Sequence, residues 1–204
     1  MQASDFKTYK ALGATIYVCE LTGADTSSRL QSQLPYKFDV SHIGSEARRR
    51  ELIGIRLMCC ALWGNDARVE YANSRPTVVL PFGNVAHISV AHSHGVLAVA
   101  YHNDSAIGID IEVFGKKMGR VRTRFLSPVE LAWQADDDER LTKAHLSWTL
   151  KESLYKIVGD PVYDFPQKIE VSSDFSYVVA LGNKYSARCW TTDRYALSLV
   201  RDLL

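Results

Sequence analysis

Between Ala106 and Val113 the chain reads AIGIDIEV, and after Gly108 apolar and acidic residues alternate strictly. Successive side chains on a β-strand point to opposite faces. The pattern therefore predicts a strand with Ile109 and Ile111 turned to a core and Asp110 and Glu112 side by side on the other face. Two neighbouring carboxylates repel, and a hard cation removes that repulsion. Two acids on the solvent face of an edge strand account for the same alternation, so the strand alone leaves both readings open. It does require a packing layer for the isoleucines, which other segments must supply.

Those segments read as short strands and two long helices. Ala14 to Leu21 (ATIYVCEL) is β-branched and apolar, and a polar stretch follows from Thr22 to Gln33. Ser45 is placed to cap a helix through EARRRELIGIRLMCCALW to about Trp63. Its apolar face (Leu52, Ile55, Leu57, Cys59, Leu62) is not clean. From Thr77 come TVVL, AHISVAH and VLAVAYH, then a turn at Asn103-Asp104. Ser127-Pro128-Val129-Glu130 is a helix start with Ser as cap and Pro in the first position. A long helix is expected over about Glu139 to Val158, stopping near Gly159-Asp160-Pro161. The tail alternates in KIEVS, YVVAL, YSARCW and YALSLV. With few signs of βαβ units, this order predicts an α+β fold.

Composition excludes several classes. A chain of 204 residues buries roughly 70% of its unfolded surface and needs no staples. A net charge of +1 offers no global attraction to nucleic acid, so an acidic partner must be met by a local patch. The four cysteines, Cys19, Cys59, Cys60 and Cys189, show no C-x-x-C spacing and read as reduced thiols. Met1 to Lys10 is polar without an apolar h-region, and no apolar run reaches membrane-spanning length. A cytoplasmic protein with neither nucleic-acid nor membrane partner is expected.

Three further features carry possible chemistry. In the helix segment Trp148-Thr149-Leu150-Lys151-Glu152-Ser153-Leu154-Tyr155-Lys156, Glu152 and Lys156 are four apart and share a face. A surface Glu–Lys pair worth about 0.3–0.5 kcal/mol has the same spacing. In Ala91-His92-Ser93-His94-Gly95 two histidines flank a serine, which suits either a strand end or a phosphate contact. Arg48, Arg49 and Arg50 sit in the first turns of their helix, where basic residues are unfavourable. They form either a solvated face or an anion site.

Taken together these segments resemble the 4′-phosphopantetheinyl transferase superfamily. Its first signature, G-[IV]-D-x-E, stands here as Gly108-Ile109-Asp110-Ile111-Glu112. Its second, [FW]-[SCT]-x-K-E-[SA]-x-x-K, is complete from Trp148 to Lys156. Between them lies Arg124-Phe125-Leu126-Ser127-Pro128-Val129-Glu130, and upstream stand Ala91-His92-Ser93 and Arg75-Pro76. Ordered matches run from about Arg75 to Lys156. Two positions depart from the pattern: Ala91 replaces a serine, and Ser74 stands where glycine often precedes the basic-Pro pair.

The resemblance implies transfer of the phosphopantetheine arm of coenzyme A to a serine of an apo acyl or peptidyl carrier protein, releasing 3′,5′-ADP. It implies Mg²⁺ held by Asp110, Glu112 and Glu152, with Glu152 as candidate base. Lys156 then acts on the pyrophosphate or protonates the leaving group. Arg50, Arg75, His92, Asp110, Lys151 and Lys156 are implied contacts to coenzyme A. The basic residues between Lys116 and Arg124, Lys117, Arg120 and Arg124 among them, suit an acidic carrier protein. For a family member of this length the implied fold is the surfactin-synthetase-activating type. That is a monomeric pseudo-dimer of two similar α+β halves, 1–102 and 103–204, each a small antiparallel sheet packed against helices, with the active site between them. The rival readings are another Mg²⁺-dependent phosphoryl-group enzyme, such as a nuclease, and a carrier-protein-binding paralogue without catalysis.

Overall fold

The computed structural model describes residues 1–72, 75–80, 85–103 and 105–202; Ser74 and Asp104, singled out above, lie outside them. The chain divides into two compact units, Met1–Lys10 with Ala14–Asn103, and Ala11–Gly13 with Asp104–Leu204. It is an α+β structure with two antiparallel sheets packed against helices. Among the described residues no helix is long and apolar enough to cross a membrane.

The first unit is built on six strands: β1 (Lys7–Ala11), β2 (Ala14–Glu20), β3 (Arg68–Ala72), β4 (Arg75–Val79), β5 (Val85–Ser93) and β6 (Val96–Tyr101). Their order across the sheet is β1-β2-β6-β5-β4-β3. Strand β5 pairs with β6 so that Ser93 faces Val96, which leaves His94 and Gly95 as a two-residue turn. Both have positive φ, 48° and 80°, as a type I′ hairpin requires. His94 is therefore a turn residue.

Two helices, α1 (Ser27–Gln33) and α2 (Glu46–Trp63), belong to this unit. As the sequence predicts, Ser45 caps α2, its hydroxyl accepting from the Arg48 N–H. The imperfect apolar face of α2 has a physical reason. Every residue from Ile53 to Cys60 is buried, Arg56 included, so the middle of the helix presents no solvent face. Arg56 lies over the Phe38 ring at 3.4 Å and donates to the Leu52 carbonyl. Cys59 and Cys60 are buried free thiols; Cys19 and Cys189, also free, are half-buried.

The second unit carries β7 (Ile107–Val113), β8 (Ile169–Val171), β9 (Tyr177–Ala180), β10 (Asn183–Thr191) and β11 (Tyr195–Asp202), in the order β7-β11-β10-β9-β8. Strands β8 to β11 form an antiparallel meander whose last strand returns to β7. Between β7 and β8 run α3 (Met118–Val121), α4 (Pro128–Trp133), α5 (Thr142–Val158) and α6 (Phe165–Lys168). The cap expected at Ser127 is present, and it is part of a capping box in which the Glu130 carboxylate accepts from the Ser127 N–H. Leu150, Leu154, Phe165, Val178 and Val200 lie in the core beneath.

Strand β7 is buried on the face of Ile109 and Ile111, as the alternation requires. Its other face is covered as well. Gly108, Asp110 and Glu112 share that face, and α5 is laid directly against it. A Cβ on Gly108 would stand 1.9 Å from the carbonyl oxygen of Ser153 and 2.8 Å from its carbon. Ser153 in turn shares a 2.8 Å hydroxyl–hydroxyl bond with Ser198, the residue paired with Asp110 across β11. Asp110 thus lies alongside α5, although β7 is the edge strand of its sheet.

This contact predicts that Gly108→Ala is destabilising. The added methyl meets backbone atoms that have no rotamer to escape into, so a loss of about 1–3 kcal/mol or more is expected. Urea unfolding of the purified variant checks it; a wild-type midpoint and slope would show that the strand and helix tolerate a wider spacing.

Candidate active site

The close approach of α5 to β7 decides which of its side chains meet Asp110. Lys156 does: its ammonium donates to Asp110 Oδ1 at 2.9 Å and to the Ile109 carbonyl at 2.6 Å. Glu152, one turn earlier on the same helix face, feels the same carboxylate. Burial pushes its carboxyl up, the Asp110 charge adds to this, and the nearby Lys156 opposes it; the result is a pKa of about 7. A carboxyl in that range takes up and releases a proton near neutrality. Glu112 is half-buried on the same face of β7, opposite Ala196 of β11.

Asp110, Glu112, Glu152 and Lys156 thus come from one strand and one helix. Among the described residues no group of three or more His, Cys, Asp or Glu side chains stands ready as a cage for a metal ion. The donor chemistry nonetheless suits Mg²⁺, a hard cation usually bound by one or two carboxylates together with phosphate oxygens and water. Crowding of Glu152 by Asp110 is the electrostatic condition that such a cation relieves.

Lys151 does not meet its expectation as a phosphate contact. Its side chain is 0% exposed. Its three N–H donors sit among four oxygens: Glu130 Oε2 at 2.7 Å and the carbonyls of Phe125, Ile169 and Phe165 at 2.8, 3.0 and 3.4 Å. Burial pushes its pKa down, against the pull of Glu130. Helix geometry explains the divergence. At about 100° per residue, Lys151 points about 160° away from Ser153, whose backbone abuts β7, whereas Lys156 lies within about 60° of it. Trp148 is likewise a packing residue, between Phe125 and Phe165 at centroid distances of 5.0 and 5.9 Å.

Of the basic residues after β7, Lys116, Lys117, Arg120 and Arg124 are exposed and Arg122 is half-buried. Lys117 precedes α3, Arg120 lies in its last turn, and Arg124 closes the short 3-10 turn Arg122–Arg124 that follows. Val129, the neighbouring first-turn residue of α4, is 70% exposed.

In the first unit the arginines have separate fates. Arg49 pairs with Glu46 and donates to the Ile43 carbonyl. Arg50 donates to the Thr22 carbonyl at 2.6 Å. Arg48 hydrogen-bonds Nε2 of His92, whose Nδ1 lies 2.9 Å from Glu51 Oε2. Burial raises the Glu51 carboxyl, but the bond and charge of His92, the Gly95 N–H and Arg48 together bring it below its ordinary value. Arg75 is exposed at the start of β4. Glu51 was not singled out from sequence, and Arg48 only as one of the three arginines read as either a solvated face or an anion site. The available signal was an acid within the helix stretch RRRELIGI, three residues after an arginine.

Residues 106–200 match the family model of the 4′-phosphopantetheinyl transferase superfamily. The matched stretch runs through β7, α5 and most of β11, and so holds the Asp110–Lys156–Glu152 group; it is just under half of the chain. A search of curated proteins finds no match. The match indicates a transferase of the phosphopantetheinyl type, and with it coenzyme A and a carrier protein as partners in general.

The place of Lys151 yields a test. Lys151→Met strands Glu130 as a buried unpaired carboxylate and should cost about 3–5 kcal/mol of stability. Chemical denaturation measures this. A phosphate-contact role predicts the opposite pattern, unchanged stability with a raised KM for coenzyme A.

Proposed function

We propose that this protein transfers the 4′-phosphopantetheine group of coenzyme A to a serine hydroxyl of an apo acyl or peptidyl carrier protein, with release of 3′,5′-ADP, in a Mg²⁺-dependent reaction. The observation that carries the proposal is the grouping of Asp110, Glu152 and Lys156 within the stretch that matches the superfamily. A metal-free acid–base pair on a helix surface has no need of the half-buried strand carboxylate that Lys156 reaches.

Asp110, Glu112 and Glu152 are the residues that would hold Mg²⁺, which when bound stabilises charge on the pyrophosphate. The remaining chemistry falls to the chain. The serine hydroxyl is a weak nucleophile and must lose its proton as the P–O bond forms; Glu152 is assigned as the acceptor. Lys156, held at Asp110 and the Ile109 carbonyl, keeps an ammonium at the site. There it offsets charge building on the leaving phosphate of 3′,5′-ADP or donates a proton to it. From the first unit, His92 and Arg75 are proposed as further contacts to coenzyme A, and Arg50 is the contact that the resemblance alone implies. Lys117, Arg120 and Arg124 are proposed as the surface that receives the acidic carrier protein.

The test is mass spectrometry of an apo carrier protein incubated with coenzyme A and Mg²⁺. Addition of the phosphopantetheine group is expected, and chelation of the metal should stop it. Asp110→Ala should lose most of this transfer while unfolding like the wild type. Glu152→Gln should lower kcat about 10²–10⁴-fold, with a smaller effect on coenzyme A affinity. No modification of any carrier tried would overturn the proposal, and transfer indifferent to chelation would remove the metal from it.

The carrier surface predicts a split in kinetic constants. Charge reversal at Arg120 and Arg124 should raise KM for the carrier protein, leave that for coenzyme A nearly unchanged, and weaken the salt dependence of the carrier term. Equal effects on both substrates would show damage to the shared site.

A further inference from the structure

We propose that His145 is a positioning residue for the carrier-receiving surface: in its neutral form it docks the basic segment after β7, through the Gly115 N–H, onto the first turn of α5. The inference rests on the role proposed for Lys117, Arg120 and Arg124. It goes beyond that reading by naming the group that holds their segment and the proton that would release it.

The His145 ring is 1% exposed and packs edge-to-face with Phe114 at a centroid distance of 4.9 Å. Its Nδ1 lies 2.8 Å from the Leu141 carbonyl, and its Nε2 lies 3.3 Å from the Gly115 nitrogen. A carbonyl only accepts hydrogen bonds and a backbone N–H only donates them. Nδ1 therefore carries the proton and Nε2 is a bare acceptor, so one tautomer of the neutral ring satisfies both partners. A second proton would set an Nε2–H against the Gly115 N–H at a buried ring. Docking and protonation thus exclude one another.

The segment has reason to need such a hold. Residues 116–124 contain Lys116, Lys117, Arg120, Arg122 and Arg124 and no acid, so their charges repel. The bonds within it are short turns, from the Met118 N–H to the Gly115 carbonyl and from the Arg120 N–H to the Lys117 carbonyl. It is fastened by the Phe114 N–H on the Arg194 carbonyl, by Met118 in the core, and by the Gly115–His145 bond. Of these three, the last changes with pH.

The direction of that change follows from the surroundings of the ring. Burial pushes the His145 pKa below its ordinary value. The carbonyls of Leu141 and Arg140 pull it up, as do Asp137 and Asp138, whose carboxylates accept from N–H groups in the first turn of α5; together they do not offset burial. The Arg140 guanidinium lies over the same Phe114 ring at 4.9 Å, and Lys116 directly follows Gly115. With the folded value below the unfolded one of about 6.5, the docking bond is fully present above that pH. It is lost as pH falls through the folded value.

The experiment uses the full-length protein and an apo acyl carrier protein that it modifies, from about pH 8 down to about pH 5. It reads the ¹⁵N imidazole signature of His145, hydrogen exchange at the Gly115 amide, and affinities for carrier and coenzyme A by calorimetry. The Nδ1–H form and a protected Gly115 amide are expected at neutral pH. On acidification the amide should lose protection and carrier binding should weaken in step with the titration of His145. His145→Phe keeps a ring against Phe114 but removes the acceptor. It should weaken carrier binding about 3–10-fold, the worth of one hydrogen bond, with coenzyme A affinity unchanged. His145→Gln offers an oxygen that does not titrate, and should recover most of the carrier affinity and flatten its acid limb. If His145→Phe does not fold, the wild-type titration decides, since carrier affinity must follow His145. An Nε2–H form at neutral pH, an unprotected Gly115 amide, equal losses for both ligands, or an unchanged acid limb in His145→Gln would overturn the inference. Failure to modify any carrier overturns the transferase reading and this inference with it. Modification with carrier affinity indifferent to His145 overturns the docking role alone.

Discussion

The carboxylate group of the second unit depends on how closely α5 lies on β7. At Gly108 the helix backbone occupies the space a side chain would take, 1.9 Å from an ideal Cβ to the Ser153 carbonyl. That approach places a helix directly above a strand carboxylate and lets Lys156 reach both Asp110 and the Ile109 carbonyl. The same contact explains two small residues in the motifs. Gly108 is there because only hydrogen fits, and Ser153, 0% exposed, because its neighbour is a strand backbone and its hydroxyl is bound to Ser198. Neither needs a catalytic role to be required.

A second contact holds the opposite side of α5. Lys151 and Glu130 form an ion pair with essentially no exposure to water. Such a pair is costly to desolvate and stabilises only when every donor and acceptor is used. Here they are. Glu130 also accepts from the N–H groups of Ser127 and Val171, and Lys151 is surrounded by three carbonyls. The pair therefore ties α5 to the start of α4, to α6 and to β8. The segment WTLKESLYK contains two functions on two helix faces: Trp148 and Lys151 fasten the helix, and Glu152 and Lys156 face Asp110.

Much of this was legible in the chain. The alternation within Ala106 to Val113 predicted the strand and the shared face of Asp110 and Glu112, and Ser45 predicted the start of α2. The side of the helix on which Lys151 lies was not legible. Motif membership groups Lys151 with Glu152, while a rotation of about 100° separates them. Strand β1 was missed because Lys7–Ala11 carries no apolar alternation, its side chains being mostly exposed on a sheet edge. Helix α1 was read as a polar stretch because it buries one residue, Leu30, and gives no periodic signal. The Glu51–His92 pair joins residues 41 positions apart, and only the fold brings the acid of α2 to the histidine near the end of β5.

The two ionic groups differ in what they lack. In the first unit, the Glu51 carboxylate meets His92 and Arg48, and the balance leaves its pKa below the ordinary value, so its surroundings favour the charged form. In the second unit, Glu152 is displaced the other way, to about 7, because burial and Asp110 outweigh Lys156. In the proposed reaction Mg²⁺ would supply the opposing charge, a hard ion suited to oxygen donors. The same deficit leaves Glu152 poised to exchange a proton. Under that proposal, whether Glu152 would act chiefly as ligand or as base would turn on how much of its charge the ion claimed, a balance tied to the fit of α5 on Gly108.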